Sequence, residues 1–361
     1  GKADDQCKAK IRYGQQLLDG LPEVNAVIGS GEVPRIAEVA KRTLSGERFV
    51  LVEEPTFIYS DTTPRITATA PHLAFVKIAE GCNHRCSYCV IPQVRGAYRS
   101  RPLRSVVKET ERLVAAGAKE IVLVAQDTTL YGSDLYGKPC LSELLNRLAD
   151  IEGVHWLRLL YTYPESLTDE VLLTIASRRN ICKYVDLPLQ HVNHSLLRAM
   201  RRRGDYSSIG QLVDKIRALI PGVALRTSFI VGFPGETEEQ FAELCAFLQE
   251  KRFDHVGVFC YSAEEGTPAA SMPGQVSKEV QQERRHMAME IQRKISRENN
   301  ERLLAQVTEV LIDSPGVART PRQAPDVDGV ALVRGVCPRP GAIADARIVG
   351  ARDYDLEVEV V

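Results

Sequence analysis

Residues 73–90 read LAFVKIAEGCNHRCSYCV, a short apolar run that stops at a glycine and then presents Cys82, Cys86 and Cys89 within eight residues. A run of that length and composition predicts a buried strand, with the cysteines in the loop at its C-terminal end. Five similar runs follow: EIVLVAQ (120–126), HWLRLLYTY (155–163), KYVDLPL (183–189), ALRTSFIVGF (224–233) and HVGVFCY (255–261). Between them lie amphipathic stretches such as SVVKETERLVAAGA (105–118), LSELLNRLAD (141–150), TDEVLLTIASR (168–178) and ETEEQFAELCAFLQEKRF (236–253). Alternation of this kind builds a parallel sheet from βαβ units. Six units predict an α/β fold, a partial (β/α)6 barrel two units short of a closed one.

In such barrels the chemistry sits on the loops after the strands. The unusual residues cluster there: GCNHRCSYC after the first run, then QDTT (126–129), PLQH (188–191), GFPGET (232–237) and YSAEEGTP (261–268). That distribution locates an active site.

On either side of this core the pattern changes. Residues 1–62 read as part of an N-terminal α/β domain, and TTPRITATAPH (62–72) reads as a linker. The core with its trailing helix takes 73–297, the helix starting behind Ser277 as N-cap with Glu279 in its first turn. From 298 to 361, short alternating runs between Pro, Gly and Asp turns predict a small antiparallel β-barrel. Lys+Arg is 46 against 47 Asp+Glu, a net charge of −1, so no overall field favours nucleic acid or a membrane surface. With no long apolar run and no signal-peptide pattern, the reading is cytoplasmic, with no membrane partner.

Nine cysteines, three of them crowded together, suit a metal site in a reducing compartment better than a disulfide framework. The spacing Cys82-x3-Cys86-x2-Cys89 puts three thiolates in one loop. A [4Fe–4S] cluster held by three protein ligands keeps one open iron, and S-adenosylmethionine (SAM) can occupy it through its amino and carboxylate groups. The alternative is zinc with His84 as fourth ligand, in a nucleic-acid-binding module without catalysis; structural zinc usually takes two separated ligand pairs, and none follows here. Cys140, Cys182, Cys245, Cys260 and Cys337 read as small hydrophobes.

Other residues are candidates to hold the cofactor. Tyr88 could pack on adenine, and Gln126 and Asp127 could accept from the SAM ammonium. Gln190 and His191 could reach the ribose, and Arg226 and Ser228 the carboxylate. Gly232, Gly235 and Glu236 permit close backbone approach, although Glu236 also fits a helix start. Arg201, Arg202 and Arg203 either touch substrate or form a solvated face.

The stretches EGCNHRCSYCVIPQVRGAYRSRP, VAQDTTLYG, DLPLQH, TSFIVGFPGETEEQF and YSAEEGTPA resemble the methylthiotransferase family of radical SAM enzymes, over about 73–272 and the tail. Within that family, Gln126-Asp127-Thr128-Thr129 and Glu264-Glu265 resemble the branch that modifies the β-carbon of an aspartate in a small-subunit ribosomal protein, rather than the branch acting on tRNA adenosine. The resemblance implies that Cys82, Cys86 and Cys89 bind the SAM-cleaving cluster, that an electron donor serves it, and that the terminal barrel is TRAM-like. It also implies a second [4Fe–4S] cluster in the N-terminal domain. Of its three cysteines only Cys7 precedes the barrel, as if that domain were truncated. TRAM domains commonly bind RNA, but residues 299–361 carry ten acidic residues against seven arginines, a net of −3. An acidic barrel fits a basic ribosomal protein as partner better than tRNA.

Overall fold

The computed structural model describes residues 13–66 and 68–361. Ahead of the core, β1 (Ala26–Ile28) and β2 (Phe49–Leu51) pair in parallel around the helix Ile36–Leu44. The core strands are β3 (Leu73–Lys77), β6 (Glu120–Val124), β7 (Trp156–Leu159), β8 (Tyr184–Asp186), β9 (Ala224–Val231) and β10 (His255–Cys260), with a two-residue hairpin, β4 (Ala79–Glu80) and β5 (Arg99–Ser100), after the first. Every core pairing is parallel: β3 with β6, β6 with β7, β8 with β9 and β9 with β10. A single parallel bridge, Leu157 to Ile181, joins the two three-stranded halves. No ladder joins β10 to β3 among the described residues, so the barrel of six stays open, as the six runs predict.

Each strand sorts its residues by parity. In β9, Leu225, Phe229 and Val231 enter the apolar core under the helices, while Arg226, Ser228 and Ile230 line the barrel's interior. The helix Lys278–Glu301 runs beside this wall. Its Ser277 cap accepts from the Val280 amide at 3.4 Å, and its buried Gln292 donates to the Phe253 carbonyl at 2.9 Å.

The terminal strands β11 (Val307–Ser314), β12 (Val317–Arg319), β13 (Ala331–Arg334), β14 (Ile343–Ala351) and β15 (Leu356–Val360) close a barrel in the order β11-β12-β13-β15-β14. It departs from a purely antiparallel barrel at one seam, where β13 and β15 run parallel. The chain between β13 and β15 crosses the barrel through β14, and that crossover returns the last strand in the same direction.

The terminal barrel docks on the base of the open one. Leu311 and Ala324 pack with Leu73, Val122, Trp156, Tyr184 and Ala224, all inward residues of core strands. Around this plug runs a charged network. Glu120, fully buried, lies 2.6 Å from Arg158 Nε and 2.6 Å from Arg319 Nη1, and Arg319 also pairs with Asp313 at 2.7 Å.

Candidate active site

The cysteine loop is held from three sides. Gly81 turns the chain at φ +81°, where a β-carbon would lie 2.2 Å from the Ala97 carbonyl oxygen; only glycine fits. Beyond it, the Cys82 amide donates to Gly96 O at 3.2 Å, and the Tyr98 amide donates to Asn83 Oδ1 at 3.0 Å. Ser87 anchors the far side, its amide to Met200 O and its hydroxyl to Ala199 O at 2.7 Å.

Cys82, Cys86 and Cys89 are free, half-buried thiols on the wall of one cavity of about 670 Å³. Burial pushes the Cys82 thiol up to about 11, helped by Asp127 and the two neighbouring thiols, and burial raises Cys89 too. Metal binding would therefore displace protons from these sulfurs. Among the described residues no three His, Cys, Asp or Glu side chains converge on a single ion position. A [4Fe–4S] cluster would take each of the three thiolates on a different iron.

His84, the possible fourth zinc ligand, is engaged elsewhere. Its Nε2 donates to Asp127 Oδ2 at 2.6 Å, and its ring stacks on Tyr163 with centroids 3.7 Å apart and planes 9° apart. Arg202 caps the other face of Tyr163, 4.4 Å from the ring centroid, and donates to Pro188 O at 2.8 Å. Burial works against the Arg202 charge, but Tyr88, Tyr163 and Cys86 beside it hold its pKa above the ordinary value. So the run 201–203 splits: Arg202 is an inner wall residue, while Arg201 and Arg203 face solvent. With His84 held by Asp127 and Tyr163, the residues that would hold a [4Fe–4S] cluster here are the three thiols of the loop, Cys82, Cys86 and Cys89.

Of the sequence candidates, Tyr88, Gln126, Gln190, Arg226 and Ser228 line the cavity. Gln126 Oε1 is buried with no hydrogen-bond partner. Arg226 donates Nη1 to Asp186 Oδ1 at 3.0 Å and holds Nε 3.5 Å from Asp328 Oδ1 as an ion pair, and among the described residues its Nη2 makes no hydrogen bond. Asp127, Gly232 and Glu236 do not line it. Asp127 is spent on His84 and, through its other oxygen, on the amide and hydroxyl of Thr129. Glu236 accepts from the Gly232 amide, from Arg284 at 2.7 Å and from His191 Nε2 at 3.2 Å, so it ties the GFPGE loop to the trailing helix. Gly232 has φ +71°, with Gln281 filling the space of a side chain. Cys260, read as a packing residue, also lines the cavity. Cys7 lies outside the described residues.

Sequence reasoning did not find Tyr163, Asp186, Phe259 or Val327 on this wall. For Asp186 a signal existed: a carboxylate at inward parity in a buried strand needs a partner or a job. Tyr161, also lining, has φ +58°, its amide donating to Asp186 Oδ2 at 2.9 Å and its carbonyl accepting from Thr128. Left-handed backbone at a side-chain-bearing residue is stored strain at a working site.

Residues 76–248 match the Radical SAM superfamily model, and residues 306–361 match the TRAM domain model. The ribosomal protein uS12 methylthiotransferase RimO of Syntrophus aciditrophicus is 48% identical over 363 residues, covering 97% of this chain and 80% of that protein. The protein of the same name from Pelotomaculum thermopropionicum is 45% identical over 375 residues, covering 100% and 84%. Among solved structures, the radical SAM methyltransferase TsrM of Kitasatospora setae, with tryptophan and a SAM analogue bound, aligns with a TM-score of 0.50 at 19% identity, over 64% of this chain and 50% of that one.

Proposed function

The chain belongs to the ribosomal protein uS12 methylthiotransferase (RimO) family of radical SAM enzymes, and we propose that it adds a methylthio group to the β-carbon of an aspartate in uS12. The observation that carries this reading is the set of three thiols from one loop bordering a single cavity, with His84, the other ligand type in that loop, held by Asp127 and Tyr163. A [4Fe–4S] cluster and SAM bound there supply one-electron cleavage of the sulfonium and so the means to abstract hydrogen from carbon.

The chain's own residues bind, orient and exclude water. Gln126 Oε1, an unpartnered buried acceptor, takes a proton donor such as the SAM ammonium. Arg226 Nη2 takes a carboxylate, Ser228 and Gln190 offer neutral hydrogen bonds, and Tyr88 packs beside Cys89. Leu160, Ile230, Phe259 and Tyr261 give the cavity apolar walls that keep solvent from a reactive carbon.

In this reading the transferred sulfur comes from a second cluster. An electron donor serves the cytoplasmic enzyme, and the acidic terminal barrel meets the basic uS12 surface. No helix among the described residues is long and apolar enough to cross a membrane. Several acids of that barrel are already paired, Glu357 with Arg334 and Arg352 and Asp353 with Arg297, whereas Asp326, Asp345 and Glu359 stand exposed. These three are the docking charges, and reversing them should slow association with uS12 chiefly at low salt.

Anaerobic reconstitution with iron and sulfide tests the whole reading. About four irons per chain mean one cluster and about eight mean two. Mass spectrometry of uS12 after reaction with reductant and SAM should show an added methylthio group. A colourless protein with stoichiometric zinc, or a modified tRNA beside unmodified uS12, would sink the proposal.

A further inference from the structure

Asp328 belongs to the terminal barrel, yet its side chain is almost wholly buried against the core: the carboxylate is 2% exposed. It reaches three core strands at once. Oδ2 accepts from the Tyr184 hydroxyl of β8 at 2.7 Å, and Oδ1 lies 3.5 Å from Arg226 Nε of β9 and 3.6 Å from His255 Nδ1 of β10. The Ala324 amide, at 2.8 Å on Oδ2, fixes the carboxylate to its own loop. The next residue back, Val327, is half exposed and lines the reaction cavity. The terminal barrel therefore supplies part of the cavity's floor.

Arg226 stands between two buried carboxylates, Asp186 of its own domain at Nη1 and Asp328 of the other at Nε. A guanidinium is a planar fork, so a hydrogen bond at Nη1 together with a buried carboxylate facing Nε sets the direction of Nη2. Among the described residues Nη2 makes no hydrogen bond, and Arg226 lines the cavity. Docking of the two domains does not require this arrangement. Arg319 with Glu120, Arg322 with Asp254, Trp156 with Glu309 and His72 with Asp313 already join them. Of these core-domain partners none lines the cavity; Arg226 does.

We infer that Asp328 is a positioning residue of the reaction cavity, orienting Arg226 so that Nη2 serves as a carboxylate anchor on the cavity floor. The inference rests on the radical SAM reading and deepens it: the terminal barrel forms part of the active site as well as meeting a partner. Two ligands of that reading carry a carboxylate, the methionyl end of SAM and the aspartate of the substrate.

The test uses the full reconstituted chain with D328N and D328E. Measured are the KM for SAM in reductive cleavage, the Kd of an aspartate-bearing uS12 peptide, the Tm of the metal-free protein and the emission of Trp156. That residue is the chain's sole tryptophan, its Nε1 2.5 Å from Glu309 across the domain junction, so its emission reports docking. D328N should weaken one ligand on the order of tenfold, as expected for a misdirected charge-assisted contact. A raised KM identifies SAM, and a raised Kd identifies the substrate aspartate. Its kcat, Tm and Trp156 emission should stay near wild type, D328E should recover most of the affinity, and R226M should mask D328N in the double variant.

Both affinities within twofold of wild type would overturn the inference. So would a loss that arrives only with shifted Trp156 emission and a lower Tm, the mark of a plain staple. If the wild-type chain itself binds no SAM, the functional reading falls and takes this one with it, whereas an active wild type matched by D328N removes this one alone.

Discussion

The two ends of the open barrel draw on the same polar residue types and leave them in opposite states. At the base, Glu120, Arg158 and Arg319 are buried, Asp313 is half-buried, and the four are paired charge to charge, with Arg158 also over the Tyr184 ring. At the mouth, three thiols are free, Gln126 Oε1 and the Tyr261 hydroxyl are buried without partners, and Tyr161 and Gln190 hold positive φ. The charge pairs make the base a joint even with Arg158 Nη2 unpartnered, whereas the unpaired groups at the mouth leave hydrogen bonds open to a ligand. The Asp186–Arg226–Asp328 trio lies between these ends and shares both characters: the guanidinium is paired with two carboxylates, yet among the described residues its Nη2 makes no hydrogen bond.

That contrast is open to attack from either end. The largest effect should come from the mouth: Cys86→Ala should remove one cluster's worth of iron, about four per chain, and abolish SAM cleavage. Its metal-free Tm should match wild type, because the thiol makes no structural bond; a variant that keeps its cluster would undo the ligand assignment. Next comes the base. Glu120→Gln strands two buried guanidinium groups and should cost about 3–5 kcal/mol in urea unfolding, with the KM for SAM unchanged at permissive temperature. Equal damage to both quantities would show that the base is not merely a joint.

A smaller shift belongs to Gln126→Leu. It should raise the KM for SAM by roughly tenfold and leave stability equal or slightly improved, since it removes an unpaired buried acceptor. A clear loss of stability would mean that the amide already has a partner. The smallest effect is a pH slope from Cys182, wholly buried at the base. Burial pushes its thiol up to about 11 from an ordinary 9.0. The native chain therefore holds this proton more tightly than the unfolded one. Its contribution is complete below pH 9 and fades as the pH climbs toward 11. Unfolding midpoints across that window should fall less steeply for Cys182→Ala than for wild type, and parallel slopes would count against the assignment.

Much of the site was legible in the order of residues. The thiol spacing, the six strand ends and the Ser277 cap are local features, set by residues within a turn or two of each other. Gln126 and Asp127 show the limit: adjacent at a strand end, they leave it on opposite sides, and only Gln126 reaches the cavity. His84 is similar, since its availability as a ligand depended on Tyr163, 79 positions away in the chain.

By itself the sequence determined a parallel six-stranded core, the loop that carries the thiols and a separate terminal barrel, because strand period, helix period and ligand spacing are short-range properties. Tertiary structure alone decided which inward charges meet. Arg226 could be read as a cavity residue, but its pairing with Asp328 exists only once a second domain plugs the barrel's base. The parallel seam of β13 with β15 has the same origin, as do the seat of Glu236 against the trailing helix and the reach of Val327 into the cavity. Pattern along a chain assigns a residue to a face; which atoms lie across that face follows from how the barrel closes and what docks against it.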